Sequence, residues 1–231
     1  REFLKKIVEE LDLDDRFIRE NCRGKDVNLP SEVTPELAQI IGYFAGDGSF
    51  DPERLNFHEN DKEIAEHYQS LLEEVFNCNT SIRFREEKNY YLLRAFGKPL
   101  VKLFKKEFPE IKKSRTTTIP EKIAVSGNRN VAAFIRGFYD AEGHCSNSRG
   151  RTGISANNKI LSFQLQQQLL RFNVISSITS YNNSKNPYSD NTKYTISISD
   201  QKSLESFKEK IGFTSTRKSR ELEKITEKQK A

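Results

Sequence analysis

Two acidic residues occupy the same place in two similar stretches of this chain. Asp47 lies in ELAQIIGYFAGDGSF (36–50) and Glu142 in NVAAFIRGFYDAEGHCS (130–146). The offset is 95 positions (142 − 47), and the same offset relates Gly42 to Gly137, Gly46 to Ala141 and Gly48 to Gly143. One acid after a small-residue helix reads as a turn cap. Two at equivalent places read as a pair. Carboxylates held close together repel unless a cation lies with them. Oxygen ligands from carboxylate, backbone carbonyl, water and phosphate suit Mg²⁺.

The elements that would position these acids follow from local chemistry. Thr34-Pro35-Glu36 is a helix start: a capping oxygen, proline at the first position and an acid in the first turn. The run that follows is apolar through Ala45, so the helix is expected to be buried on most sides. Gly42 and Gly46, like Gly137 and Ala141, are four apart on one face, where small residues let two helix backbones approach. Gly48 and Gly143 are expected to supply the turn after each helix.

After each motif the pattern continues in kind. LNFHENDKEIAEHYQSLL (55–72) parallels TGISANNKILSFQLQQQLL (152–170) as strand, polar cap and amphipathic helix. Alternating segments at 81–97 and 175–200 come next, each leading to a helix, GKPLVKLFKKEF (97–108) or QKSLESFKEKIGF (201–213). Each half therefore reads αββαββα, an α+β fold in which two copies cover each other's faces by pseudo-twofold symmetry. The expected divisions are an N-terminal helical extension over 1–33, a first half over 34–113, a linker over 114–130 and a second half with a C-terminal helix over 131–231.

Composition narrows the class. The 231 residues are 35% hydrophobic, with 16 Phe and 8 Tyr, which excludes a disordered chain. The net charge of +5 and pI near 9.0 are a modest basic excess, a weak pointer to a polyanionic partner. Cys22, Cys78 and Cys145 form no CxxC pair, so a disulfide framework or structural zinc is not expected, and a reducing intracellular compartment, cytoplasm or organelle matrix, is. No apolar run has membrane-spanning length and no signal-peptide pattern opens the chain. The absence of Met reads as a trimmed or processed form.

IIGYFAGDG (40–48) and IRGFYDAEG (135–143) resemble the paired signature motifs of LAGLIDADG homing endonucleases, in the two-motif monomeric class. The resemblance covers roughly residues 34–225, with TTTIPEKI (116–123) and IGFTSTRKSREL (211–222) similar to family segments. It implies a saddle of antiparallel sheets over a central two-helix seam of Gly42, Gly46, Gly137 and Ala141. It also implies double-stranded DNA as partner, a divalent metal such as Mg²⁺, and hydrolysis of one phosphodiester per strand across the minor groove, leaving short 3′ overhangs. Asp47 and Glu142 become the catalytic acids and metal ligands, with the carbonyls of Gly46 and Ala141 as further ligands. Lys98 and Lys202, each at a strand-to-helix junction, become candidate charge-stabilising bases. Glu59 and Asn157 lie near positions that orient water. Glu in place of Asp at 142 keeps the carboxylate and lengthens its reach, which implies two unequal strand cleavages.

Specificity is expected from the strands. SIRFREE (81–87) places Ile82 and Phe84 on one face and Arg83, Arg85 and Glu87 on the other; Lys193, Thr195, Ser197 and Ser199 alternate with Tyr194, Ile196 and Ile198. An antiparallel ribbon fits the major groove, and Arg94, Arg149 and Arg151 are further candidate DNA contacts. Three readings compete with the nuclease: a non-cleaving nucleic-acid binder of the same fold, such as an RNA splicing maturase; an intein, against which the chain is expected to be a free-standing endonuclease or one excised from an intein; and a purely structural repeat protein. No splicing nucleophile or terminal His-Asn pair is visible at Arg1-Glu2-Phe3 or Lys228-Gln229-Lys230-Ala231.

Overall fold

Both repeats adopt the αββαββα order that their periodicities require. The structure, a computed structural model, describes residues 27, 28, 30–112, 116–182 and 192–228. Nearly all of the expected N-terminal helical extension lies outside the described residues. In the first repeat α1 (Pro35–Asp47) leads to β1 (Gly48–Asp51), β2 (Arg54–Glu59), α2 (Lys62–Phe76), β3 (Asn79–Arg85), β4 (Tyr90–Phe96) and α3 (Lys98–Glu107). A one-turn helix α4 (Glu121–Ala124) precedes the second repeat. There α5 (Asn128–Glu142) leads to β5 (Gly143–Ser146), β6 (Arg151–Ala156), α6 (Lys159–Leu170), β7 (Ser177–Asn182), β8 (Thr192–Ile198) and α7 (Gln201–Lys210). The charged C-terminal segment forms α8 (Thr216–Lys228). Both sheets are antiparallel with the same topology, β1-β2-β4-β3 and β5-β6-β8-β7. No helix among the described residues is long and apolar enough to cross a membrane.

Local chemistry sets the element ends. The Thr34 hydroxyl accepts from Leu37 N–H at 3.2 Å and starts α1. Asp61 caps α2, and Asn158 caps α6 by accepting from Leu161 N–H at 3.1 Å. Asn77 ends α2 in the left-handed region, φ 49°. The second motif helix starts at Asn128, inside the stretch expected to be linker. Residues before it are tied down: Thr117 is buried, and Ile119 N–H donates to Gln164 Oε1 at 2.9 Å.

The chain divides into two compact units that do not follow the repeats. One comprises Arg1–Glu32 with Asp47–Pro109, the other Val33–Gly46 with Glu110–Ala231. In the first, the inward faces of β2 and β4 bury Leu55, Phe57, Leu93 and Ala95, and the helices contribute Tyr68, Leu72, Phe76, Leu100 and Phe104. The rings of Phe76 and Phe104 stand 5.8 Å apart. In the second, Tyr139, Phe207 and Phe213 form an aromatic cluster with centroids 4.9–6.1 Å apart, beside buried Leu204, Ile211, Leu222 and Ile225.

The contact that organises the second unit is backbone against backbone. A Cβ added to Gly42 would run into the Phe134 carbonyl, and one added to Gly137 would run into the Gln39 carbonyl. These two contacts are equivalent under the repeat, since 95 positions separate Gly42 from Gly137 and Gln39 from Phe134. Gly46 meets its own counterpart: a Cβ there would lie 2.7 Å from Ala141 Cβ. The pseudo-twofold axis between α1 and α5 therefore passes by Gly46 and Ala141.

The expected glycine turns after the helices do not form. Gly143 is extended, at φ −78° and ψ 149°, and Gly48 begins β1 without a positive φ. Each helix passes straight into a strand. Glycine at 143 instead serves close packing, because a Cβ there would strike the Tyr139 carbonyl and crowd the Phe213 ring.

Substituting Gly137→Val should lower stability in urea unfolding by about 1–3 kcal/mol or more, since backbone rather than a movable side chain obstructs it. Gly127→Ser, at a helix start with nothing within 4 Å of the added atom, should stay within about 0.5 kcal/mol of the parent.

Candidate active site

The last turns of α1 and α5 carry the two acids. In the second unit the Glu142 side chain lies over Gly46, its Cγ 3.1 Å from where a Gly46 Cβ would be. Asp47 follows Gly46 by one peptide bond. Asp47 is exposed and Glu142 half-buried. The Asp47 carbonyl accepts a hydrogen bond from His58 Nδ1 at 3.1 Å, and the His58 ring packs edge-on against Tyr90 at 5.3 Å.

The end of α5 is bound more heavily. Arg136 Nε donates to the Ile211 carbonyl at 2.6 Å. The Asp140 carboxylate, only 2% exposed, accepts from Thr214 N–H at 2.8 Å. Lys218 Nζ donates to the carbonyls of Asp140 at 2.5 Å and Tyr139 at 3.3 Å. From α1, Gln39 Nε2 donates to the Thr214 hydroxyl at 2.8 Å. Residues 211–218 thus lash both motif helices together. Sequence reasoning missed His58, Arg136, Asp140, Thr214 and Lys218. The available signal was Arg136 and Asp140, two charges four apart in the otherwise apolar run 131–141.

Among the described residues no three His, Cys, Asp or Glu side chains gather into a metal cage. The acids and helix-end carbonyls present fit a hard cation such as Mg²⁺.

The two lysines differ in setting. Lys98 is the first residue of α3, and its ammonium is 3.0 Å from Glu53 Oε1. Lys202 is exposed at the second position of α7, whose cap Asp200 accepts from Ser203 N–H at 2.9 Å. Aligned by their helix caps, Lys98 matches Gln201, and Lys202 stands one residue further along. Glu59 ends β2 and folds back onto the N–H groups of Asn60 (2.7 Å) and Asp61 (3.0 Å). Asn157 is exposed in the bend before α6.

On the first sheet the outward row Ser49, Asn56, Arg94 and Ser81 is in register, with Arg54, Arg83 and Arg85 on the same face. Burial, then the charges of Arg54, Arg85 and Arg83, pull the Arg94 pKa below its ordinary value. This crowding of positive charge favours an anionic partner. Glu87 departs from the expected strand position, because β3 ends at Arg85 and Glu86–Lys88 make a 3₁₀ turn closed by Asn89 at φ 52°.

On the second sheet Thr195 meets Ser155 hydroxyl to hydroxyl at 3.0 Å, and Lys193 pairs with Tyr181. Ser197 is the exception to the expected open face: at 6% exposure it is covered, flanked in register by Gly153 and Ser177. Arg149 lies in the 3₁₀ turn Asn147–Arg149 and Arg151 begins β6. Burial, then Arg151, Lys218 and Arg149, lower the pKa of His144, two residues beyond Glu142. The three cations place a basic surround beside it.

Two αββαββα repeats, each opened by a helix that ends in an acid, define a LAGLIDADG protein. The chain belongs to the LAGLIDADG-like domain family, matched over residues 34–109 and 129–212. Its curated relatives include glutamine--fructose-6-phosphate aminotransferase of Methanocaldococcus jannaschii, 36% identical over 206 residues that cover 88% of this chain. Another is the probable translation initiation factor IF-2 of Thermococcus kodakarensis, 29% identical over 205 residues and 87% of this chain. The chain spans only 18% of the length of the former and 17% of the latter. Among solved structures, I-DmoI in complex with DNA and Mn matches with a TM-score of 0.57 at 23% identity, covering 80% of this chain and 99% of that one. Full-length DUF199/WhiA from Thermatoga maritima matches at 0.60 and 17% identity, covering 88% and 64%. The fold is shared with both.

Removing the buried acceptor with Asp140→Ala should cost about 1–3 kcal/mol in thermal or urea unfolding, because Thr214 N–H loses its partner. Asp140→Asn, which keeps an acceptor oxygen, should cost less than Asp140→Ala in the same measurement.

Proposed function

We propose that this chain is a site-specific, metal-dependent DNA endonuclease of the homing type, acting as a monomer with an internal pseudo-twofold. The observation that carries the reading is the acid at the end of each of two family-matched helices, on either side of the Gly46/Ala141 contact. A structural repeat would need the small residues but not the two acids. The relatives add support. A segment that recurs within an aminotransferase and a translation initiation factor, at under a fifth of each length, fits an inserted module that spreads between unrelated genes, and an enzyme that cuts DNA provides the means.

In this reading the substrate is a long, near-asymmetric duplex. Asp47, Glu142 and the carbonyls of Gly46 and Ala141 hold a divalent cation, Mg²⁺ being the expected ion. When bound, such an ion lowers the pKa of its water and neutralises charge developing on phosphate. Lys98 and Lys202 offer further positive charge at the strand-to-helix junctions. Arg83, Arg85 and Arg94 of the first sheet, and Arg149, Arg151, Lys193 and Thr195 of the second, contact phosphates and base edges. One phosphodiester per strand is hydrolysed across the minor groove, leaving short 3′ overhangs. The Arg-rich first sheet also suits a nucleic-acid binder that does not cleave, and the same assay separates the two.

In that assay, cleaved sites are selected from a randomised duplex pool in Mg²⁺. Asp47→Asn and Glu142→Gln should each abolish double-strand breaks while duplex affinity stays within a few-fold; a normal rate in either variant overturns the metal-site assignment. Binding by the parent chain without cleavage would leave only the binder. Duplex affinity should fall by roughly a thousandfold between about 50 and 200 mM salt, and Arg94→Ala should reduce that salt slope by about one if Arg94 meets phosphate.

A further inference from the structure

The carbonyls in the last turn of a helix have no partner within it, and a left-handed glycine cap normally closes some of them. Gly143 is extended, so α5 lacks that left-handed cap, although the Gly143 N–H still donates to the Tyr139 carbonyl. A side chain from another element completes the closure. Lys218 Nζ bonds the carbonyls of Tyr139 and Asp140 from the first turn of α8, placing a cation at the negative end of the helix dipole.

Lys218 is itself held in place. Its N–H donates to the hydroxyl of buried Ser215 at 3.3 Å, and its ammonium stands 5.7 Å from the Phe213 ring centroid. Its own carbonyl accepts from Cys145 Sγ of β5 at 3.6 Å. Lys218 therefore grips the chain on both sides of Glu142, at residues 139–140 before it and 145 after it. In the first repeat the equivalent helix end is met from within its own sheet, by His58. Among the described residues, α8 has no counterpart after α3.

We propose that Lys218 is a positioning residue for Glu142: it fixes the last turn of α5, and with it the direction from which the Glu142 carboxylate meets a divalent cation. The inference rests on the metal-binding reading above. Its test exploits a difference of sign. A lysine acting only through its charge repels a nearby cation, so removing it tightens metal binding. A lysine that positions the carboxylate has the opposite effect, and losing such supporting contacts costs about ten- to a hundredfold in metal affinity.

The experiment titrates the full chain with Mn²⁺ alone, reading free ion by electron paramagnetic resonance, for the parent, Lys218→Met and Lys218→Arg. The expected result is Mn²⁺ affinity about tenfold weaker in Lys218→Met, largely restored in Lys218→Arg, with duplex affinity unchanged. Should Lys218→Met fail to fold, Lys218→Gln, neutral but still a donor, replaces it under the same criterion. Unchanged or tighter Mn²⁺ binding in the neutral variant overturns the positioning role and leaves the proposed function standing. A parent chain that binds no Mn²⁺ overturns the positioning role, while the proposed function is decided separately by cleavage in Mg²⁺.

Discussion

Helix α1 meets α5 where neither has side chains to separate them. Gly42 lies on the backbone of Phe134 and Gly137 on the backbone of Gln39, with Gly46 against Ala141 at the axis. Two helices normally keep 8–10 Å between axes because side chains interleave; here glycine removes that spacing. Much else follows. The contact draws residues 33–46 into the compact unit of the second repeat. It also sets Glu142 against Gly46.

Symmetry ends at the residues around that axis. The first sheet concentrates Arg54, Arg83, Arg85 and Arg94 on one face. The second offers hydroxyls at Ser155, Thr195 and Ser177, with its basic groups at Arg149, Arg151 and Lys193. A single chain with two repeats is free to let each half diverge, whereas identical protomers must present the same face twice. The helix ends diverge as well: His58 reaches the carbonyl of Asp47, while the end of α5 is bound by a segment that lies outside the repeat. Asp on one side and Glu on the other belongs to the same pattern.

The segment 211–218 joins stability to the site. Arg136, Asp140 and Gln39 would be poorly placed in helices packed this tightly were they unpaired, since a buried charge without a partner is costly. Ile211 and Thr214 supply those partners from the turn between α7 and α8. The polar groups in the seam helices therefore record where another element must dock.

The repeat offset, the αββαββα order and the small-residue helices with their acids were legible in the sequence, because periodicity and spacing are local properties that survive translation along the chain. Helix starts at Thr34 and Asn158 were legible for the same reason. Other features were decided only in three dimensions. Glycine at 143 looked like a turn residue, yet it is extended and exists to clear the Tyr139 carbonyl. Ser197 alternated correctly but is covered by its neighbours, and Glu87 fell into a turn because Asn89 adopts the left-handed conformation. Lys98 and Lys202 looked equivalent until the helix caps set them one residue apart. Lys218 gave no local sign of its role, since its partners lie 78 and 79 positions away. Sequence by itself determined which residues sit on which face of which element. Tertiary structure decided what each face meets, because contact depends on docking distances that no local pattern encodes.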